Sequence, residues 1–409
     1  MLTSSKEFQV LVCCGRGDRS ASAQRLQALL DEGIDWSLLL TLAHRHRLAP
    51  LVYWHLEALD EHAVPEAVRR RLRHTFFENA SWQLRFTGEL RDLLQVLSDH
   101  GIIAVPYKGP VLAKQLYGAI SLRESSDLDI LVRRDDFARA RELLLERGFT
   151  ARRPLDNRDR AFMLRNRYAE SLDGPLGLTV ELHWGFTNAD VAFPLALDEL
   201  QPRLQELDID GFEVPAFAAE DHLLILTVHG AKHLWCRLEW VCGVAELART
   251  FSPVQWQVVA QRARETGSER TLLLGLLLAH ELLEAPIPQD LLRRARRNPQ
   301  VVLLFEDVKW LLAAEEAITE SAEKFGSLHH DLFHFRLRER LRDRVRFLLY
   351  RFTTPSRPER WVAVRVGTHF LPVHAVFRPV RVMAKLVPAL WWYATRKRAR
   401  DLPSPRRAA

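Results

Sequence analysis

Residues 105–132 read VPYKGPVLAKQLYGAISLRESSDLDILV. The run opens with a short strand over residues 102–106, turns at Lys108-Gly109, and enters a helix over residues 110–117. A loop holding Arg123 follows, and then a second strand over residues 127–132. Side chains alternate faces along a strand, so Asp127 and Asp129 point one way while Leu128, Ile130 and Val132 point the other. Two carboxylates are thereby expected on the open face of a strand whose opposite face is core, with Cα atoms roughly 7 Å apart.

Unpaired carboxylates at that spacing repel each other and raise one pKa. A divalent ion such as Mg²⁺ removes the conflict, because it binds through one or two carboxylates together with substrate phosphates. Asp-x-Asp alone fits an edge strand with solvated acids more readily, so the surrounding residues have to decide. Lys108 follows a strand and precedes a helix, where backbone N–H groups and the helix dipole meet a phosphate. Gly109 permits close backbone approach. Further along, residues 178–184 read LTVELHW, and alternation puts Thr179, Glu181 and His183 on one face. Glu181 supplies a third carboxylate.

The combination Lys108-Gly109, Leu112-Ala113, Leu116-Tyr117, Arg123, Asp127 to Val132, Gly148-Phe149 and Glu181-Leu182-His183-Trp184 resembles the nucleotidyltransferase superfamily. More narrowly, it resembles the bacterial family labelled uncharacterised nucleotidyltransferase, from about Trp36 to the C-terminal region. The resemblance implies an α+β fold, with a small mixed sheet, flanking helices, and further helical regions at both ends. It implies transfer of a nucleoside monophosphate from an NTP, ATP among them, to a small-molecule, glycan or peptide acceptor. Mg²⁺ is the implied cofactor, with two ions allowed, held by Asp127, Asp129 and Glu181, and Glu181 is alternatively the base. Lys108, Gly109, Arg123 and His183 are implied on the nucleotide and phosphate side, although Arg123 is close enough in sequence to pair with one of the acids. Two departures stand out: the usual Gly-Ser turn is Lys-Gly, and Gly243 occupies a position where that family often carries Asp. They keep open a non-catalytic nucleotide-binding or scaffold protein.

With 409 residues, 47% hydrophobic and 27% charged, the chain has room for two or three globular domains. The expected division is an N-terminal helical region over 1–100, a catalytic core over 101–217, a helical domain over 218–326 and a basic, aromatic-rich tail over 327–409. From Arg336 onward there are 19 Lys/Arg against 4 Asp/Glu, so the +6 formal charge belongs to the tail. That tail leaves open internal packing, peripheral contact with the inner membrane face, and, least favoured, nucleic-acid binding as in a tRNA-directed toxin. The oligomeric state is not legible. Cys13, Cys14, Cys236 and Cys242 form no CxxC pair, which fits a reducing, cytoplasmic compartment. The apolar run TLLLGLLLA at 271–279 falls short of the roughly 20 residues a span requires.

Periodicity predicts helices over residues 23–32, 35–46, 50–60 and 65–100, the last with Leu84, Leu90, Leu93, Leu94 and Leu97 on one apolar face. A helix over 135–147 and a strand over 149–153 follow. Residues 154–177 read as a short helix and a mobile loop, and 194–215 as a hairpin or loop turning at Asp210-Gly211. Helices are expected over 220–235, 237–250, 254–266, 269–283, 288–297 and 300–324. In the first of these, His229 and His233 stand one turn apart in HGAKH; lacking the Glu of HExxH, they read as a polar domain interface, with a substrate-facing helix carrying Lys232 as the alternative, rather than as a zinc pair.

Overall fold

A computed structural model describes residues 5–152, 163–188, 193–313 and 326–353. The expectations for the tail beyond residue 353 and for 154–162 fall outside them. The chain divides into two compact units, Met1–Ile318 and Thr319–Ala409.

The first unit opens with four helices, α1 (Lys6–Cys14), α2 (Ala23–Asp31), α3 (Trp36–Arg45) and α4 (Ala49–Leu56), followed by the 34-residue α5 (Glu66–Asp99). Five strands form one sheet, β1 (Ala104–Pro106), β2 (Leu128–Val132), β3 (Thr150–Ala151), β4 (Ala169–Asp173) and β5 (Thr179–His183), with α6 (Gly109–Tyr117) and α7 (Phe137–Glu146) between them. The strand order is β1-β2-β5-β4-β3, parallel between β2 and β5 and antiparallel elsewhere. This is the small mixed sheet with flanking helices that the sequence implied.

One face of the sheet is apolar. Leu128, Ile130 and Val132 of β2 and Val180 and Leu182 of β5 share a core with Phe86, Leu90, Leu93 and Leu97 of α5 and Phe137, Ala140 and Leu144 of α7. Leu84 does not belong to it and is 62% exposed. At about 100° per residue it is rotated roughly 120° from Leu90, whereas Gln83 falls on the buried face. Gln83 Nε2 donates to Ser125 O at 3.4 Å, and Asn79 Nδ2 to Ser121 O at 2.8 Å. These polar side chains of α5 therefore hold the loop that delivers Asp127 to the head of β2.

β4 corrects the mobile-loop part of the reading of 154–177, whereas residues 163–166 are helical as expected. The inward positions of β4 are Glu170 and Leu172, both buried, and Glu170 is neutralised by Arg141 at 2.8 Å. A charged residue at a core position hides the alternation, and only the Arg141 contact makes its burial tolerable.

The short helix α8 (Leu197–Leu200) leads to the hairpin β6 (Gln205–Asp208) and β7 (Glu213–Ala216). Asp210 and Gly211 both have positive φ, the conformation that a two-residue hairpin turn demands. A helical layer follows: α9 (Ala219–Lys232), α10 (Leu238–Arg249), α11 (Pro253–Thr266), α12 (Glu269–Leu283), α13 (Gln289–Arg297) and α14 (Pro299–Ala313). TLLLGLLLA lies in α12 with every leucine buried. Among the described residues, no helix is long and apolar enough to cross a membrane.

In the second unit, α15 (Gly326–Leu337) and α16 (Leu341–Thr353) are described. Arg351 pairs with Asp331 at 2.6 Å, and α16 exposes Leu341 and Val345.

Candidate active site

The parallel pairing of β2 and β5 sets Asp129 opposite Glu181, and Leu131 opposite His183. The period of two then puts all four side chains on the face away from α5 and α7. That face is not open, as the sequence suggested, because Asp129 is only 2% exposed and His183 1%. His183 Nε2 lies 3.0 Å from Asp129 Oδ1 and 3.4 Å from Glu181 Oε2, and Tyr107 Oη lies 3.2 Å from His183 Nδ1. The tautomer that satisfies these contacts carries the proton on Nε2, donates it to the carboxylates, and accepts from the Tyr107 hydroxyl. Ser171 on β4 donates to Glu181 Oε1 at 3.3 Å.

Lys108 enters from the turn before α6, its ammonium 2.6 Å from Asp129 Oδ1. Gly109, first residue of α6, has φ +63°, a left-handed conformation that a side chain disfavours, and it lies against the Asp127 carbonyl. Burial alone would raise the Asp129 pKa, but the Lys108 charge and the His183 hydrogen bond outweigh it and hold the carboxyl below the usual range. Asp127, half-buried at the head of β2, is raised, first by burial and then by the charge of Asp129. Glu181 is lowered by the His183 hydrogen bond, against burial.

Among the described residues, Asp129, Glu181 and His183 form the group whose ligand atoms all lie within 4.8 Å of one another. His183, expected on the phosphate side, is thus part of the carboxylate cluster. Asp127 stands outside that group but lines the same cavity, as do Lys108, Gly109, Arg123 and Glu181. Arg123 pairs with neither strand Asp; its Nη2 lies 3.5 Å from Glu239 Oε2.

The cavity, of about 310 Å³, is closed on its other side by the end of α9 and the start of α10. His229, Lys232 and His233 all line it. Sequence reading favoured a domain interface for this helix, and helical spacing alone had no means of showing what α9 faces. Burial keeps both histidines neutral, His233 at a pKa of about 3. Lys232 donates to Tyr168 Oη at 2.9 Å, and burial, then the neighbouring Lys108 charge, lowers its pKa to about 8. Its charge is therefore present below pH 8 and lost above it. Affinity for a phosphate-bearing ligand is expected to fall as pH rises through 8, and Lys232→Arg to remove that alkaline loss; titrating ligand affinity between pH 6.5 and 9.5 in both proteins measures it.

Gly243, where an Asp was looked for, lies within α10 against Leu116 and Leu226. The acid that α10 contributes to the cavity is Glu239, one turn earlier.

No curated protein matches the chain. A solution structure of the antibiotic-resistance factor ANT(2'')-Ia aligns over 43% of this chain and 89% of its own, at 11% identity and a TM-score of 0.32. A nucleotidyltransferase-like antigenic protein from Paracoccidioides brasiliensis aligns over 48% of this chain and 91% of its own, at 18% identity and a TM-score of 0.32. The family model described as uncharacterised nucleotidyltransferase matches residues 32–284, which span α3 to the end of α12 and include every residue of the cavity. The chain belongs to this family of uncharacterised nucleotidyltransferases and is a transferase enzyme.

Proposed function

We propose that the cavity transfers a nucleoside monophosphate from an NTP to an acceptor oxygen, with a divalent cation, Mg²⁺ in the first instance. The observation that carries this reading is the in-register pair Asp129 and Glu181 on adjacent parallel strands, bridged by His183 and flanked by Lys108 and Gly109. The donor chemistry suits a cation: oxygen ligands dominate, and the Asp127 carboxyl, raised first by burial and then by the charge of Asp129, stands beside two further carboxylates. Asp127, Asp129 and Glu181 would hold the ion, with His183 hydrogen-bonded behind Asp129 and Glu181. When bound, the ion neutralises charge that develops on the phosphate oxygens.

The protein side chains do the rest. Lys108 neutralises Asp129 and stands at the N-terminus of α6, so it reaches a phosphate when that carboxylate is balanced otherwise. Lys232 approaches from the opposite wall and adds a second ammonium below pH 8. His183, fixed by Tyr107, orients Asp129 and Glu181. In the alternative role, Glu181, whose side chain is 31% exposed against 1% for Asp129, leaves the ion to the two aspartates and receives the proton that the acceptor oxygen loses.

Calorimetry with the four NTPs, with and without Mg²⁺ and Mn²⁺, tests this reading. Metal-dependent binding of at least one NTP is expected, weakened by at least about a hundredfold in Asp127→Asn/Asp129→Asn. If no NTP binds under any of these conditions, the reading fails.

A further inference from the structure

The carboxylate cluster accounts for one part of the cavity. At another, three guanidinium groups from separate segments converge on a single acid. Arg47 Nε lies 3.9 Å and Arg237 Nη1 3.6 Å from Glu239 Oε1, while Arg123 Nη2 lies 3.5 Å from Oε2. Arg47 follows α3, Arg123 precedes β2, and Arg237 caps the N-terminus of α10, and all of them line the cavity with Glu239. The Glu239 side chain is 4% exposed, whereas those of Arg47 and Arg237 are 28% and 36% exposed.

The charges do not balance. One carboxylate faces three guanidiniums, which leaves two positive charges over. Of the other acids near the trio, Glu124 is pushed by burial, and then by the Glu239 charge, up to about 7, so near neutrality it is only partly ionised, and Asp127, which the Arg47 charge also reaches, belongs to the carboxylate cluster. None of the three contacts is as short as a charge-assisted hydrogen bond, about 2.7–2.9 Å. Ser125 Oγ accepts from Arg123 at 3.0 Å and Ser126 Oγ from Arg47 at 3.4 Å, which steadies both side chains without neutralising them. Arg47 is the left-handed residue just past α3, φ +53°, where the Leu48 amide returns to the Ala43 carbonyl at 2.8 Å, so the turn that ends the helix fixes where its side chain starts. Two serine props and an under-neutralised trio are more than a single buried glutamate requires. They suit a ligand with several oxygens and at least two negative charges, because the planar fork of each arginine matches phosphate geometry.

We propose that Arg47, Arg123 and Arg237 form a subsite for a phosphate group inside the transfer cavity. Two sources share that chemistry, the distal phosphates of the NTP and a phosphate carried by the acceptor. The choice between them rests on the transfer reading above; the subsite itself does not.

The experiment uses the full-length protein and inorganic phosphate, with pyrophosphate as a second probe, in calorimetry without divalent metal. Wild type is expected to bind, and Arg237→Gln to weaken binding by about tenfold. Glu239→Gln removes the competing carboxylate and is expected to tighten binding by about three- to tenfold, the opposite sign from a lost structural contact. Retained far-ultraviolet circular dichroism identifies the folded variants, and Arg47→Gln replaces Arg237→Gln if the latter fails to fold. Absence of phosphate binding by wild type, or equal affinity in wild type, the Arg variant and Glu239→Gln, would overturn the proposal and leave the trio as a clamp on Glu239.

The source follows from a second pair of titrations. If the subsite takes the donor's distal phosphates, Arg237→Gln weakens binding of NTP but not of the corresponding nucleoside monophosphate. If it takes the acceptor, NTP binding is unchanged and inorganic phosphate still binds to NTP-saturated protein. Failure of NTP to bind wild type while phosphate binds in an Arg237-dependent way would condemn the transfer reading alone.

Discussion

Asp129→Asn is expected to lower nucleotidyl transfer by at least about a thousandfold, since it removes a central carboxylate from the proposed cation site. It is also expected to destabilise the metal-free protein by about 3 kcal/mol. The Lys108 ammonium, its side chain 11% exposed, would lose the partner 2.6 Å away and keep only the weaker attraction of Asp127 and Glu181. The two effects separate in a double variant. Lys108→Met/Asp129→Asn is expected to regain most of the stability, because neither charge is left alone, and none of the activity. Thermal unfolding with chelator present and turnover measured in parallel check this; a double variant as unstable as Asp129→Asn would show that the ion pair is not the source of the loss. The pH dependence has a defined sign. The Asp129 pKa is depressed in the folded state, so its contribution is complete above the unfolded value of about 4 and is lost as pH falls below it. The stability gap between wild type and Asp129→Asn is therefore expected to close in acid.

Gly230→Ala is expected to cost about 3 kcal/mol by overpacking and to lower the melting temperature by ~5–10 °C. A Cβ at this position would sit 2.5 Å from the Trp235 ring, and Trp235 has no exposed surface into which to move. The chain reverses just beyond α9 through two left-handed residues, Leu234 and Trp235, and the Trp235 amide returns to the Gly230 carbonyl at 2.8 Å. The indole is wedged between Gly230 and Gly275, where a Cβ would approach to 3.1 Å. Activity is expected to fall as well, because His229 and Lys232 flank Gly230 and line the cavity. Gly88→Ala, in α5 with nothing within 4 Å of the added carbon, is the control and should be neutral or slightly stabilising. Equal melting temperatures for wild type and Gly230→Ala would refute the packing argument. In HGAKH the small residue thus has a structural reason to be glycine, distinct from the metal spacing that the two histidines suggest.

The helices were legible because their stripes and caps are local. α5, α9 and α12 lie within a few residues of their expected bounds. β4 was not legible, because Glu170 occupies a core position that only Arg141 makes tolerable. Leu84 was misplaced because an apolar residue near a stripe is not always on it, while Gln83 was buried for its hydrogen bonds to the Asp127 loop. For the candidate site, Asp127, Asp129, Glu181, Lys108 and Gly109 were named from strand alternation, a turn and a family resemblance, and all of them line one cavity. Tyr107, Arg47 and Glu239 were not named, since no local pattern distinguishes them from ordinary core or surface residues.

By itself, then, the sequence determined which residues are strand and helix over most of its length, and which carboxylates share a strand face. Both follow from backbone periodicity, which acts between neighbours in the chain. The tertiary structure decided that Asp129 and Glu181 pair in register, that Lys108 neutralises the former, and that α9 and α10 close the cavity with Lys232 and Glu239. It also decided that Arg47, Arg123 and Arg237 meet at a single carboxylate. Such meetings join segments far apart in the chain, and they are fixed by the packing of whole layers and the neutralisation of buried charge, neither of which leaves a periodic trace in the sequence.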